Sequence, residues 1–380
     1  MTDNRELDFK IAIIGPTRVG KTSLIASILK DSHRLLDGTP LNIRPRGLAT
    51  ERRIAQHSKE LEGSIRAGEF KPGAVRGTEE HFTFELHLDP GVATVGINLN
   101  VLDYPGGWLD ADRRPPERAA EWQYCKDWMT KSTVLLVPVE SAVLMEAAAA
   151  KHRKAAPSIL TTYEVEEVAR DWAKARHLRP DEPALLMLCP VKCESYFADN
   201  GGRRDLSIDL YKAVLDMYEG TIRAVQGNHP NVKIIYSPVD TIGCVEIVES
   251  CWEDDARAPG GCHFTAEYRV RAPGRQTVKG ADTILISICR HLIESSQRAE
   301  KIKAKEMNAE AMHARDLANK DEGFLRNILI WLSGERGNRV KDADGKEKDA
   351  TTQKKVVENL LELIANLAGR HLGPRVRSIT

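Results

Sequence analysis

The sequence predicts an α/β fold in which helices flank a doubly wound, mostly parallel sheet. Residues 9–14 (FKIAII) form a nearly unbroken apolar run, which is typical of a strand buried on both faces. A glycine-rich turn follows, and from Lys21 onward the apolar residues recur at helical spacing. Further apolar runs lie between helix-like stretches at 133–139, 184–189 and 232–236. Because crossover helices join parallel strands, we expect the sheet to extend to about residue 240.

The composition narrows the class of protein before any motif is considered. With 380 residues and 42% hydrophobic content, the chain can bury a substantial core. The 55 basic and 55 acidic residues cancel, so no global positive field favours nucleic acid, and we expect no specific nucleic-acid partner. The apolar runs fall far short of the roughly 20 residues that span a bilayer, and the polar start lacks an apolar signal region. Seven cysteines without a CxxC pair favour a reduced, cytoplasmic protein.

After the first helix, the pattern predicts a helical insertion and then a hairpin. A charged, helix-like insertion occupies about residues 40–75. Apolar and polar residues then alternate over 82–88 and 95–101, as in two strands with one solvated face, joined by a turn at 89–91. A second insertion, at about 141–180, is rich in alanine and charge and is expected to be helical.

The later part of the chain differs in character from the rest. Weak alternation over 244–270 predicts extra strands or an edge hairpin. From residue 281 long helical patterns follow, at 282–320, 324–332 and 352–367. We therefore expect an α/β domain of 1–280 and a helical C-terminal region of 281–380. The broad apolar stripe of the last pattern packs against the main body or, alternatively, against a partner helix or a membrane surface.

The segment Gly15–Thr22 (GPTRVGKT) fits the pattern GxxxxGK[ST], with a strand before it and a helix after it. Glycines let main-chain amides turn toward phosphate oxygens, and the helix N-terminus adds a positive dipole end. We expect Lys21 to contact the β- and γ-phosphates and the Thr22 hydroxyl to ligate Mg²⁺. The nucleotide-binding residues predicted in this segment are Gly15, Thr17, Arg18, Val19, Gly20, Lys21, Thr22 and Ser23.

A second motif, Asp103–Gly106 (DYPG), reads DxxG at the end of an alternating strand. In a phosphate-loop protein the Asp103 carboxylate can hold Mg²⁺ through water, and the Gly106 amide can sense the γ-phosphate. On its own this tetrapeptide is an ordinary turn, so its functional interpretation depends on the preceding loop. Thr78 lies between the two motifs and is a candidate third magnesium residue, although an exposed structural threonine fits almost equally well.

Base recognition is predicted after the strand at 184–189. There Lys192 and Glu194 (VKCE) occupy the place where guanine-specific proteins carry NKxD. The carboxylate can accept hydrogen bonds from the guanine edge, and the lysine stem can pack on the ring. Ser237, after the next strand, is expected to supply a main-chain contact to the base. Val191 replaces the usual asparagine, and the two charged residues also fit a solvated surface, so adenine is the alternative.

Together these residues resemble the translation-factor-like class of P-loop GTPases over about residues 9–240. GPTRVGKT followed by DYPGGWL is most similar to the YcjX-like stress-induced bacterial GTPases, and also resembles the double-GTPase proteins of bacterial conflict systems. The resemblance implies that Lys21 and Thr22 contact phosphate and magnesium and that Asp103 and Gly106 sense the γ-phosphate. It also implies that Arg18 lies over the phosphates.

Gly107 departs from that family pattern, which has glutamate at this position where Ras-like enzymes have glutamine. A glycine cannot orient the attacking water, so we expect slow hydrolysis. Arg18 can compensate by stabilising transition-state charge, or it only pairs with a neighbouring carboxylate. Asp110, Asp112 or a partner protein are alternative sources of help.

The sequence thus predicts a magnesium-dependent guanine-nucleotide switch or slow GTPase, which converts GTP to GDP and phosphate. The predicted catalytic residues are Lys21, Arg18 and Gly106. The C-terminal helices are expected to relay the nucleotide state to a protein partner or through self-association. Two alternatives stay open: an ATPase with the same phosphate loop, and a scaffold that binds nucleotide without hydrolysing it.

Overall fold

The computed structural model describes residues 7–36, 42–70, 78–89, 97–179, 182–201, 204–272, 274–306, 365 and 367–380. Its strands are β1 (Leu7–Ile13), β2 (Asn42–Pro45), β3 (Glu69–Phe70), β4 (Phe82–Asp89), β5 (Ile97–Asp103), β6 (Val134–Glu140), β7 (Leu185–Val191), β8 (Lys233–Tyr236), β9 (Val245–Asp254), β10 (Cys262–Val270) and β11 (Arg377–Ser378). Its α-helices are α1 (Lys21–Leu36), α2 (Leu48–Arg66), α3 (Ala119–Lys131), α4 (Ser141–Met145), α5 (Ala150–Ile159), α6 (Thr162–His177), α7 (Ser207–Met217), α8 (Glu219–Asn228) and α9 (Ala281–Glu306).

Eight of the described strands form one sheet in the order β11-β8-β7-β6-β1-β5-β4-β2. Neighbours from β8 to β5 are parallel, whereas β4, β2 and β11 are each antiparallel to the strand they join. The predicted α/β class with a mostly parallel sheet is therefore confirmed. After β1 the chain forms β2, β4 and β5 on one side of β1, and it then forms β6, β7 and β8 on the other side. The strand order consequently reverses between β1 and β6.

Helices cover both faces of the sheet, and alternate residues of β1 face the two layers. Phe9, Ile11 and Ile13 belong to a hydrophobic cluster with the apolar residues of α1 and α9. Ala12 and Ile14 belong to a second cluster with those of α3, α6, α7 and α8. A strand with apolar residues on both faces must be covered twice, which explains why the sequence shows an unbroken run rather than alternation.

A smaller sheet of three described strands, β3-β10-β9, lies apart from the main one. It confirms the extra strands predicted within 244–270. Leu61 and Ile65 of α2 pack with Phe70 and Tyr268 of this sheet and with Ile242. Helix α2 lies within the first predicted insertion, and helices α4, α5 and α6 lie within the second.

Helix α9 begins at Ala281, where the composition changes, and its apolar residues share one cluster with the sheet. The described start of the C-terminal region is therefore packed onto the α/β core. The helical patterns at 324–332 and at 352–364, the part of 282–320 beyond residue 306, and the hairpin turn after β4 lie outside the described residues. Among the described helices, none combines the length and the apolar character that crossing a bilayer requires.

Candidate functional site

The glycine-rich segment Gly15–Thr22 lies at the carboxyl end of β1, where the strand order reverses, and α1 begins within it at Lys21. Parallel neighbours of β1 end at the same edge of the sheet. Asp103 is the last residue of β5, Glu140 is the last of β6, and Lys192 follows β7 directly. Three polar side chains are thus delivered to the loop by the parallel arrangement itself.

The main chain of the loop adopts conformations that most residues avoid. The φ angle of Arg18 is 65°, and that of Gly20 is 105°. A left-handed conformation costs a residue with a side chain about 1–2 kcal/mol. Val19 points into the core, whereas the side chains of Thr17 and Arg18 are exposed. The structure therefore places the Arg18 side chain in solvent beside the loop.

Lys21 is held inside the loop. Its side-chain Nζ donates hydrogen bonds to the carbonyl oxygens of Gly15 (3.1 Å) and Pro16 (3.0 Å), and only 6% of the residue is exposed. Burial lowers the pKa of Lys21 to about 8, against the opposing charge of Asp103. An anion placed against this ammonium group stabilises its charged form, so the loop is electrostatically suited to phosphate.

Three residues that are far apart in sequence meet at one point beside Lys21. The hydroxyls of Thr22 and Thr78 donate to Oδ2 of Asp103 at 2.9 Å and 2.8 Å, and the two hydroxyl oxygens lie 3.4 Å apart. Asp103 is 0% exposed, and within the described chain its Oδ1 is buried with no hydrogen-bond partner. A buried carboxylate oxygen without a partner is costly unless a cation or donor reaches it.

This donor set fits a hard cation such as Mg²⁺. Mg²⁺ prefers oxygen ligands, keeps several waters, and commonly uses one carboxylate together with substrate phosphates. The described residues contain no group of three or more His, Cys, Asp and Glu side chains that could hold a metal ion. Two hydroxyls and one carboxylate next to the glycine-rich loop instead suit a metal that is shared with an anionic ligand.

Gly106 packs directly against the main chain of the loop. A Cβ atom at this position would lie 2.2 Å from the nitrogen of Thr17 and 2.3 Å from the carbonyl carbon of Pro16. The next residue, Gly107, has more room, because a Cβ there would lie 3.7 Å from Oγ1 of Thr17. The requirement for glycine at position 106 is therefore steric, and it keeps the segment after β5 against the glycine-rich loop.

Lys192 also contacts the glycine-rich loop. Its Nζ donates to the carbonyl oxygen of Arg18 at 3.2 Å and to Oε2 of Glu140 at 2.5 Å. The main chain of Lys192 has a φ of 53°, a second left-handed conformation beside the site. The left-handed turn at Arg18 thus contacts a largely buried ion pair between Lys192 and Glu140.

Glu194 is 1% exposed and turns toward the main chain after β8. Its Oε1 accepts hydrogen bonds from the amides of Ile242 (3.1 Å) and Gly243 (2.8 Å). In the part of the chain that the structure describes, its Oε2 is buried and unpartnered. Burial raises the pKa of Glu194 to about 7, and the charge of Asp240 adds to this effect.

Ser237 is not brought to the loop. It is fully buried, its amide donates to the carbonyl oxygen of Leu188 at 2.9 Å, and its hydroxyl lies 2.8 Å from that of Thr283. The next residue is Pro238, which has no N–H group, and the amide of Val239 donates to the carbonyl oxygen of Pro190. The amides of Ser237 and Val239 are therefore engaged within the fold.

No protein-family model matches this chain, and no curated protein matches it significantly. The resemblance to P-loop GTPases consequently rests on the two sequence motifs.

The motifs did not indicate every residue at the site. His57 of α2 is buried, and its Nε2 lies 3.1 Å from the hydroxyl of Ser23 in the first turn of α1. Burial lowers the pKa of His57, against the charges of Glu60 and Asp103. The hydroxyl of Tyr104 accepts a 3.4 Å hydrogen bond from the amide of Gly15. Tyr104 carries a sequence signal, its place inside DYPG, whereas nothing in the sequence links His57 to α1.

Proposed function

We propose that this protein is a magnesium-dependent guanine-nucleotide-binding protein of the P-loop GTPase type, acting as a switch or a slow GTPase. The observation that carries the proposal is the convergence of Thr22, Thr78 and Asp103 beside the buried ammonium of Lys21. These residues come from three separate segments. Their convergence supplies a cation-binding oxygen cluster and an anion-binding loop side by side.

The position of the site in the sheet supports the same proposal. In open α/β sheets, ligands bind outside the carboxyl ends of the strands where the strand order reverses. Here the reversal falls between β1 and β6, and the phosphate loop follows β1 directly. The helix that starts at Lys21 adds its N-terminal dipole to the same place.

Each side chain has a defined part in this proposal. Lys21 binds the β- and γ-phosphates, and Thr22, Thr78 and Asp103 hold Mg²⁺. When bound, the metal neutralises phosphate charge. The amide of Gly106 lies close enough to the loop to respond to the γ-phosphate. Hydrolysis is slow, because Gly107 has no side chain to orient water.

Glu194 favours guanine over adenine. Its Oε2 is a buried acceptor that needs N–H donors, and the edge of guanine offers them from N1 and N2. Lys192 stands beside the loop, where its stem can support the base. The ATPase alternative draws on the raised pKa of Glu194, because the protonated carboxyl donates a hydrogen bond and adenine N1 accepts one. The scaffold alternative is supported by two features that disfavour hydrolysis. The Arg18 side chain is exposed to solvent, and Gly107 has no side chain to orient water.

The nucleotide state can reach the C-terminal region through α1. The first turn of α1 carries Lys21 and Thr22, and the apolar face of α1 packs in the same cluster as α9. Movement at the phosphate loop is therefore transmitted to a helix that leads toward residues 307–364. A protein partner or a second copy of the chain reads this movement in the proposed switch.

Titration with GTP and ATP, each with Mg²⁺ and with EDTA, tests the proposal. We expect GTP with Mg²⁺ to bind most tightly, and Lys21→Ala to abolish binding. Lys30→Ala, at an exposed position on the same helix, is the matched control and should bind normally. Absence of binding by both nucleotides overturns the proposal. Single-turnover hydrolysis then separates a GTPase from a scaffold.

A further inference from the structure

A fully buried carboxylate, Asp240, lies beside the loop that carries Lys192 and Glu194. Its Oδ1 accepts a hydrogen bond from the thiol of Cys193 at 3.1 Å, and its Oδ2 accepts one from Nδ2 of Asn200 at 2.7 Å. A buried carboxylate is strongly disfavoured unless hydrogen bonds and an opposite charge compensate it. Two neutral donors are insufficient, so a cation is required.

That cation is Arg375, which lies 135 positions further along the chain. Its Nη1 donates to Oδ2 of Asp240 at 2.6 Å, and its Nη2 donates to the carboxylate of Asp199. The guanidinium also stacks on Phe197, with Cζ 3.9 Å from the ring centroid. Burial lowers the pKa of Arg375, but Asp240 and Asp199 outweigh this effect and raise it, so the residue stays charged.

The segment 367–380 fixes Arg375 from both sides. Before it, Arg290 of α9 donates to the carbonyl oxygens of Ala368 and Arg370. After it, β11 pairs with β8, and Arg377 stacks on Tyr211 at 4.9 Å. The fold therefore fixes the position of the guanidinium, which can in turn fix the groups that it contacts.

Asp240 contacts the loop whose residues are proposed to recognise the base. Cys193, its thiol donor, lies between Lys192 and Glu194 in the chain. Asp199 and Asn200 belong to the continuation of the same loop. Arg375 thus connects the loop after β7 to the loop after β8 through one shared carboxylate.

We propose that Arg375 is a positioning residue for the base side of the nucleotide site, which acts by holding Asp240 and thereby the loop of residues 192–194. The inference rests on the proposed function, because it concerns how the same site retains its nucleotide. Within the described residues, the side chain of Arg375 contacts Asp240, Asp199 and Phe197 rather than the phosphate loop. Its loss should therefore weaken retention of the nucleotide without removing the phosphate contacts.

A fluorescent GTP analogue and its ATP counterpart test this in the full chain with Mg²⁺. We expect Arg375→Gln to raise the dissociation rate of the GTP analogue about tenfold. Arg377→Gln is the matched control, since it lies in the same segment and stacks on Tyr211 rather than pairing with Asp240. Its dissociation rate should stay within about twofold of the unaltered protein.

A pH profile separates positioning from a general loss of packing. Arg375 pairs with Asp240, and the charge of Asp240 acts on Glu194, so removing Arg375 changes the electrostatic environment of Glu194. The pH at which the preference for GTP over ATP is half-developed should then differ from that of the unaltered protein. The other groups that act on Glu194 are unchanged in this variant: the amides of Ile242 and Gly243, the thiols of Cys193 and Cys244, and the hydroxyl of Tyr268.

Failure of this inference can be distinguished from failure of the proposed function. A folded Arg375→Gln protein with an unchanged dissociation rate and pH profile overturns the inference while the proposed function stands. If that variant does not fold, the double variant Asp240→Asn/Arg375→Gln removes both partners of the ion pair and leaves no buried charge at this position. It should still show faster dissociation, and an unchanged rate in the double variant overturns the inference equally. If the unaltered protein binds neither analogue, the proposed function fails and the inference fails with it.

Discussion

The hydroxyl of Thr22 donates a 2.9 Å hydrogen bond to Oδ2 of Asp103, which lies 81 positions later in the chain. One residue is in the first turn of α1, and the other ends β5. Because β1 and β5 are parallel neighbours, the loop after one strand and the last residue of the other meet at the same edge. The contact thus joins the two motifs on which the proposed function depends.

The lowered pKa of Lys21 predicts that nucleotide binding takes up a proton. At pH 9 about nine-tenths of Lys21 is uncharged in the free protein, because its pKa is about 8. Phosphate raises this pKa, so uptake should be small at pH 7 and approach one proton at pH 9. Calorimetry at pH 9 in buffers with different ionisation enthalpies measures it. Lys30→Ala should retain the effect, and binding heats that do not depend on the buffer contradict the prediction.

Asp103 should determine the dependence of nucleotide affinity on magnesium. Asp103→Asn preserves the shape of the side chain but removes its charge, so we expect affinity at millimolar Mg²⁺ to fall about 10- to 100-fold. In EDTA the variant and the unaltered protein should differ little. Asp216→Asn, at an exposed position on α7, is the control. Equal losses with and without Mg²⁺ would show that Asp103 acts on the fold rather than on a metal.

Gly106 and Gly107 should respond differently to the same substitution. In Gly106→Ala the new methyl group meets main-chain atoms at 2.2 Å, so the segment must move away from the loop. Discrimination between GTP and GDP should fall about tenfold. In Gly107→Ala the nearest atom is at 3.7 Å, an ordinary contact, and discrimination should be preserved. Affinities for both nucleotides measure this, and equal behaviour of the two variants contradicts it.

The raised pKa of Glu194 leads us to expect that base preference changes with pH. The carboxylate accepts hydrogen bonds from guanine, and its pKa is about 7, so the ratio of GTP to ATP affinity should rise from pH 6 to pH 8. The ratio cancels the titration of the phosphates, which the two nucleotides share. Glu194→Gln should abolish the pH dependence, whereas Glu249→Gln, at an exposed position on β9, should keep it. A flat ratio in the unaltered protein excludes this role for Glu194.

The central strands and the hairpin of β9 and β10 could be predicted from the sequence, because each produces a local pattern of apolar residues. β1, β6, β7 and β8 are apolar runs, and an apolar run can only be buried between two layers. Thr22 and Asp103 come together because their motifs follow or end adjacent parallel strands, and Thr78 joins them because it lies shortly before β4, whose first residue pairs with Asp103. Their placement follows from strand order, which a mostly parallel sheet largely determines.

Other features depend on contacts between distant segments and leave no periodic signal. β11 has only two residues, too short for any pattern, and it forms because its segment returns to β8. His57 reaches Ser23 through the packing of α2, and Arg375 finds Asp240 across 135 positions. Ser237 was predicted to supply a main-chain contact to a base, and its amide is used to extend the pairing with Leu188 of β7. Whether an amide is free is decided by the neighbouring strand.

The pairing of β11 with β8 also has a consequence during synthesis of the chain. Ile234 bonds to Thr380, so 146 residues must be added before the outer edge of β8 acquires this partner. An uncovered strand edge can recruit strands from other chains. The growing polypeptide therefore passes through a long interval of exposure to aggregation, and faster translation of residues 237–380 should reduce the fraction of molecules lost to it.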